Sequence, residues 1–228
     1  MAAGSETGAP LPTGAPQRDA WLVSTQEDFE ASARAFADVV GRLSPDDLAL
    51  PGLGVWDVRD LVGHTSRALA TVEAYLEAGM EPVELDGPVD YFLAALGAPA
   101  GSPERAERDA AIAERGRQAG AALGDDPAAA VAELAERVID LVRRTSPDSP
   151  TATAAGSMRL SDYLPTRTLE LTVHTLDVCR AVGMAPPAAL DGPVASTLGL
   201  LAEIAARRPD RVDLLLQLAG RGGGPSAL

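Results

Sequence analysis

The chain has 228 residues, 19 basic against 33 acidic, and a net charge of −14 at neutral pH. That length buries an ample single core, and that charge disfavours a nucleic-acid backbone or an anionic membrane surface as partner. All of the basic residues are Arg and none is Lys, which with abundant Ala, Gly and Pro reflects a GC-rich genome of origin.

Residues 1–18 are rich in Gly, Ala, Pro and Thr, so ordering them would cost entropy without compensating burial. A flexible leader is expected there, without the basic and apolar regions of a signal peptide. The domain itself is expected over 19–219. From Ser24 the pattern turns helical: Ser24 and Glu27 have capping-box spacing, and Phe29, Ala33, Phe36, Val40 and Leu43 recur along one face. A connection dense in Pro and Gly, SPDDLALPGLGVW, follows, after which Asp57 caps a second helix running to about Gly79. Pro103 to Arg144 reads as two helical pieces broken at GDDP, with the charge-rich PERAERDAAIAERGR a solvated helix face. TSPDSPTATAAGSMRLS has little helical periodicity, which predicts a loop with a short strand or hairpin around 151–160. Ser161 is placed to cap the next helix, with Pro165 in or beside its first turn and a stop at Gly183. Two further helices, about 193–208 and 210–219, precede a Gly-rich flexible tail over 220–228. No window approaches eighteen uninterrupted apolar residues, so no membrane-spanning helix is expected.

Only two histidines occur, and both fall in apolar helical stretches: His64 in DLVGHTSRAL and His174 in RTLELTVHTLDVCRAVG. Glu170 lies one turn before His174. At about 100° per residue, Glu170, His174 and Asp177 share one stripe. Leu171, Val178 and Val182 border it on one flank, and Leu169, Val173 and Leu176 on the other. A stripe so bordered points inward, where a carboxylate is costly unless a cation or hydrogen bonds meet it. A divalent cation would meet it, and two imidazoles with a carboxylate are the ligand set of many catalytic zinc sites. The spacing alone fits a solvated Glu–His pair, worth about 0.2–0.5 kcal/mol, equally well. His64 sits at the edge of the apolar face formed by Val58, Leu61, Val62, Leu69 and Val72, where a histidine taken alone reads as a hydrogen-bonded core or boundary residue. That both histidines of a histidine-poor chain hold such positions moves the balance toward a metal. Asp60 and Asp177 each stand about one turn from a histidine, where each either orients the imidazole or is an ordinary polar residue. Cys179 lies opposite Glu170 on the wheel and reads as a small core residue. As the single cysteine it permits no internal disulfide, which suits a reducing cytoplasm. There is no dinucleotide fingerprint, P-loop, nucleophile elbow or paired C-x-x-C.

GLGVWDVRDLVGHTSRAL and RLSDYLPTRTLELTVHTLDVCRAVG together resemble the two signature helices of the mycothiol-dependent maleylpyruvate isomerase family, within the DinB-like superfamily of metal-binding bundles. The likeness runs from about Ser24 to Gly183 and is most specific at W-x-V-R-D-L-V-x-H and R-T-x-E-L-x-V-H-x-L-D. It implies an all-α, up-down-down-up four-helix bundle with additional C-terminal helices. It further implies a metal, usually zinc, held at one end by His64, Glu170 and His174. The open metal position would take the thiolate of a low-molecular-weight thiol, mycothiol in actinobacteria, for an isomerase or S-transferase reaction on a small electrophile. No catalytic side chain beyond the ligands is identified by the motifs. Arg67 and Arg167, near the ends or faces of the ligand helices, either attract an anionic substrate or lie on the solvated surface. Two other readings stay open. Water in the open position would make a metal-dependent hydrolase of a small amide or thiol conjugate, and a non-catalytic bundle would bind a metal or small molecule. The namesake isomerase carries a further C-terminal domain where this chain has Met184 to Leu228, so a short form is expected. The partners implied are a small-molecule substrate and a low-molecular-weight thiol, with no nucleic acid and no membrane.

Overall fold

The computed structural model describes residues 15–78, 82–96 and 101–221. The expected leader over 1–14 and tail over 222–228 lie outside the described residues. The first helix, α1 (Ala15–Gly41), already includes Ala15 to Arg18, which the sequence placed in the leader. It passes through Ser24 unbroken, so the Ser24–Glu27 pair is not its cap. The extra turns have a surface to lie on: Leu22 and Thr25 share a crevice with Val142, Leu160 and Leu164.

A one-turn helix, α2 (Pro45–Leu48), leads to α3 (Val58–Glu77), and α4 (Pro88–Leu96) follows. The pair α5 (Pro103–Ala122) and α6 (Pro127–Arg144) is split at GDDP, as the Pro and Asp there dictate. Asp126 caps α6 through Ala129 N–H at 3.0 Å. An antiparallel hairpin, β1 (Pro150–Thr153) with β2 (Gly156–Arg159), runs into α7 (Leu160–Val182). After a 3-10 turn (Ala188–Leu190) come α8 (Asp191–Arg207) and α9 (Arg211–Leu218).

The bundle is a square of four helices: α1 packs on α6 and α7, and α3 packs on the same two. Its core is Phe29, Phe36 and Val40 from α1, Leu61 and Leu69 from α3, Val138 and Ile139 from α6, and Tyr163 and Leu171 from α7. Each helix contributes an i, i+3/i+4 stripe, which is why the periodicity was legible. The fold is therefore all-α apart from the hairpin. α5 lies outside the square on α3, at a backbone approach only glycine allows: a Cβ on Gly63 would stand 2.1 Å from the Gly120 nitrogen.

Three local expectations are corrected. Ser161 does not cap α7; the hairpin delivers Arg159 straight into the helix, and the carbonyls of Ser149 and Pro147 accept the Leu160 and Ser161 N–H groups at 2.8 and 2.9 Å. Backbone acceptors have replaced a side-chain cap. Pro165 lies in the second turn, where its missing N–H costs the helix a bond with Ser161. α4 has no counterpart among the expected elements, because it is too short and evenly apolar to show a period. It earns its place by packing Val89 against Leu200 and Ile204 of α8, with Phe92, Leu93 and Leu169 around them. Gly183 ends α7 as expected, at φ 69°, with the Met184 N–H reaching the Cys179 carbonyl at 2.8 Å. Ala188–Arg207 is the one described segment long and apolar enough to cross a membrane by length and composition. One such helix is weak grounds for a membrane role, and here it supplies Leu200 and Ile204 to that second small core.

Candidate metal centre

The WDVRD segment builds the first wall. Asp57 caps α3, accepting the Asp60 N–H at 2.8 Å, and so sets the helix start two turns before His64. Just before it the chain doubles back at Gly54, φ 60°, with Gly52 N–H on the Trp56 carbonyl at 2.9 Å. This swings the Trp56 indole onto α5, where Nε1–H donates to the Ala113 carbonyl at 2.9 Å. Gly116 leaves room for it, since a Cβ there would meet the indole at 2.6 Å. The other side of the indole covers His64, ring centroids 4.5 Å apart.

The second wall is the polar stripe of α7. Glu170 Oε2 lies 3.3 Å from His174 Nε2, and Asp177 Oδ2 lies 3.1 Å from His174 Nδ1. The His174 imidazole is thus held between two carboxylates on its own helix. It meets the His64 ring edge-on at 4.9 Å. One donor atom from each of His64, Glu170 and His174 falls within 4.8 Å of the others. Their side chains are largely withdrawn from water, with Glu170 28% and His174 16% exposed.

The electrostatics separate the two imidazoles. Burial, reinforced by the charges of His174, Arg67 and Arg115, pushes the His64 pKa down to about 4, against a weaker pull from Glu170. His64 is therefore a neutral lone-pair donor at pH 7. Its Nδ1 is buried with no hydrogen-bond partner among the described residues. For His174, burial also opposes the charged form, but the hydrogen bond and charge of Glu170 and then Asp177 outweigh it, and the pKa is raised. Burial raises the Glu170 carboxyl, and the His174 hydrogen bond together with Arg167, His174 and His64 overcomes it, so its pKa is lowered. An ionised carboxylate and two imidazoles, one of them carrying a buried nitrogen without a hydrogen bond, bring one donor atom each to within 4.8 Å of the others.

Of the residues proposed to support the ligands, Asp177 reaches His174 and Asp60 does not reach His64. Asp60 faces outward toward α5: burial and Asp57 raise its pKa, while Arg117 and Arg59 lower it. The close seating of α5 explains the difference. Arg67 and Arg167 both line a cavity of about 300 Å³ that opens on His64 and Glu170. Arg167 is 8% exposed, so the solvated-surface reading fails for it. Its guanidinium stacks over Tyr163 at 4.7 Å and donates to the Tyr91 hydroxyl at 3.1 Å. The sequence reading missed Trp56, Tyr75, Tyr91 and Arg115, which also form this region. Trp56 stood inside the motif and could have been found; Tyr91 sits on α4, which showed no period. Arg115 belongs to the stretch read as a solvated face, and it is exposed, yet with Arg105, Arg108 and Ile112 it edges the site.

The family model described as the mycothiol maleylpyruvate isomerase N-terminal domain matches residues 29–179, from the middle of α1 to the last turn of α7. None of the curated proteins and none of the solved structures compared with the chain matches it.

Proposed function

Because the chain belongs to the family of mycothiol maleylpyruvate isomerase N-terminal domains, we propose that it is a thiol-dependent metalloenzyme. In this reading His64, Glu170 and His174 hold one divalent ion, zinc by ligand preference, and the thiol is mycothiol. The reaction is isomerisation or S-transfer on a small electrophile in the cytoplasm. The observation that carries the reading is the convergence of three donor atoms within 4.8 Å, one being on a histidine whose Nδ1 is buried and unpartnered. Such a donor set fits zinc, two imidazoles and a carboxylate leaving a fourth position open. A divalent ion there would lower the pKa of a coordinated thiol and so supply a thiolate at neutral pH.

The chain's own residues have separable tasks. His64 brings its lone pair without losing a proton, because burial already keeps it neutral. Asp177 holds a proton on His174 Nδ1 and thereby leaves Nε2 facing Glu170. A divalent ion held there would compete with a proton for Nε2, so metal affinity would rise with pH. Trp56 covers the back of His64 and keeps water from that ring.

Cobalt substitution followed by mycothiol titration tests this. A thiolate-to-cobalt charge-transfer band is expected, and is expected to vanish in His64→Ala and Glu170→Ala. A protein that takes up no cobalt, or a cobalt spectrum blind to thiols, defeats the proposal; the second result would favour water in the open position and a hydrolase.

A further inference from the structure

A second cavity, of about 200 Å³, lies between α1, α7 and α8. Thr168 is one of its α7 residues, and at two positions before Glu170 it stands about 200° around the helix from that carboxylate. The cavity is therefore behind the ligand helix, away from the candidate metal centre. Much of its lining belongs to α8, beyond the residues 29–179 that the family model matches. No arginine or histidine lines it, whereas two carboxylates, Asp28 and Glu203, do. Neither carboxylate has an ion pair or a hydrogen bond among the described residues. Asp28 Oδ1 is set against the first turn of α8, where a Cβ on Gly192 would stand 3.0 Å from it. The hydroxyls point the same way. Thr168 and Thr197 are 3% and 6% exposed, and the Oγ1 of each is buried without a hydrogen-bond partner among the described residues. A buried polar group left unmet costs about 1–3 kcal/mol. Ser196, which also lines the cavity, donates its own proton to the Pro193 carbonyl at 3.1 Å and so has only lone pairs left to offer.

We infer that this cavity is a binding site for a small primary alkylammonium, separate from the metal centre and independent of its chemistry. A lining of carboxylates and acceptor hydroxyls calls for a ligand that donates hydrogen bonds and carries positive charge, and a primary ammonium brings three N–H donors with its charge. Asp28 and Glu203 meet the charge, Thr168 and Thr197 accept the hydrogen bonds, and Leu200 and Pro165 flank the alkyl part. A quaternary ammonium has no N–H for the hydroxyls and is recognised by aromatic faces. No aromatic side chain lines this cavity. A bare metal ion, held by oxygens about 2.3–2.6 Å away, would leave most of the space empty, since the volume equals that of roughly six waters. A chain of about four carbons fills it.

The test is titration of the isotope-labelled chain with butylammonium, followed by amide NMR shifts, beside 1-butanol, tetramethylammonium and potassium. Saturable shifts are expected at the amides of Thr168, Ser196 and Thr197, and butylammonium is expected to bind about tenfold or more tightly than each of the other three, in line with charged hydrogen bonds. Asp28→Asn is expected to weaken it about tenfold. Glu203→Gln, at an exposed position that cannot unfold the core, is expected to weaken it by a smaller factor. Thr197→Val keeps shape and charge, removes one hydroxyl, and is expected to cost about fivefold. Butanol binding as tightly as butylammonium would mean that charge is not recognised. Tetramethylammonium or potassium binding as tightly would mean that the hydroxyls are not. Either result overturns the proposal, as does unchanged affinity in both Asp28→Asn and Glu203→Gln, or in Thr197→Val. Absence of a saturable shift at these amides also overturns it, and leaves a cavity filled by water alone.

Discussion

Between α1 and α6 the carboxylate of Glu30 is met on the spot. Arg143 donates to it from Nε at 2.9 Å and from Nη2, Arg34 at 3.2 Å, and Gln26 at 3.1 Å. Between α3 and α7, Glu170, 28% exposed against 11% for Glu30, has one hydrogen-bonded neighbour among the described residues, His174, and the neighbouring His64 has a buried Nδ1 with none. Both seams bury charge, and only one is complete. Buried charge by itself therefore says little about function, since a protein can satisfy it internally. A partner set that stays short by one cation says a good deal, because native interiors rarely leave such groups unmet.

Zinc is the strongest way to break this comparison. Wild type is expected to take one equivalent and to gain about 4 kcal/mol of apparent stability at zinc about a thousandfold above Kd. Chelator competition and thermal melts with and without zinc would measure both. His64→Ala and Glu170→Gln should abolish the gain, and Glu30→Gln should leave it whole. If zinc stabilised all of these equally, the incomplete seam would have no special standing. Asp177→Asn comes next, because it keeps all three donors and loosens only the grip on His174. Its zinc affinity is expected to fall roughly 10–100-fold, read in the same competition assay.

Gly63→Ala sharpens the comparison through packing. The new methyl would meet the Gly120 backbone at 2.1 Å, and backbone cannot swing aside. A loss of about 1–3 kcal/mol or more is expected from overpacking, with α3 displaced and zinc affinity lowered because His64 is the next residue. Urea unfolding gives the first number and chelator competition the second. Unchanged zinc affinity would mean that the α5 contact does not set the position of His64.

How much of this could be read from sequence depends on whether a residue advertises itself along its own helix. Glu170, His174 and Asp177 do, because an i, i+4, i+7 stripe is a property of one helix, and the 3.3 and 3.1 Å contacts follow from it. The core stripes of α1 and α3 and the stop at Gly183 were legible for the same reason. His64 needed the motif around it, since its distance from α7 is a tertiary fact. Tyr91, Arg115 and the orientation of Asp60 were beyond reach. They depend on how closely α5 sits on α3 and where α4 docks, set by glycine contacts and a small apolar cluster that have no period. Arg115 shows the limit well: it is exposed, as a solvated face predicts, and still faces the site.

The smallest expected effect lies at the completed seam and depends on pH. Arg143 holds the Glu30 carboxyl below its ordinary pKa, against the opposing effect of burial and with further help from Gln26 and Arg34. A carboxyl whose folded pKa lies below its unfolded one contributes stability that is fully present above the unfolded value. That contribution is lost as pH falls through the folded value. Glu30→Gln should therefore lower the melting midpoint by a few degrees at pH 7, a modest cost because the Arg143 side chain is about half exposed. The gap from wild type should narrow as the solution is acidified below the carboxylate range. Melts of the two proteins without zinc, from neutral to acid pH, would read it directly. A gap that widened on acidification would mean that Arg143 is not what stabilises Glu30, and the contrast between a completed and an incomplete seam would lose its reference.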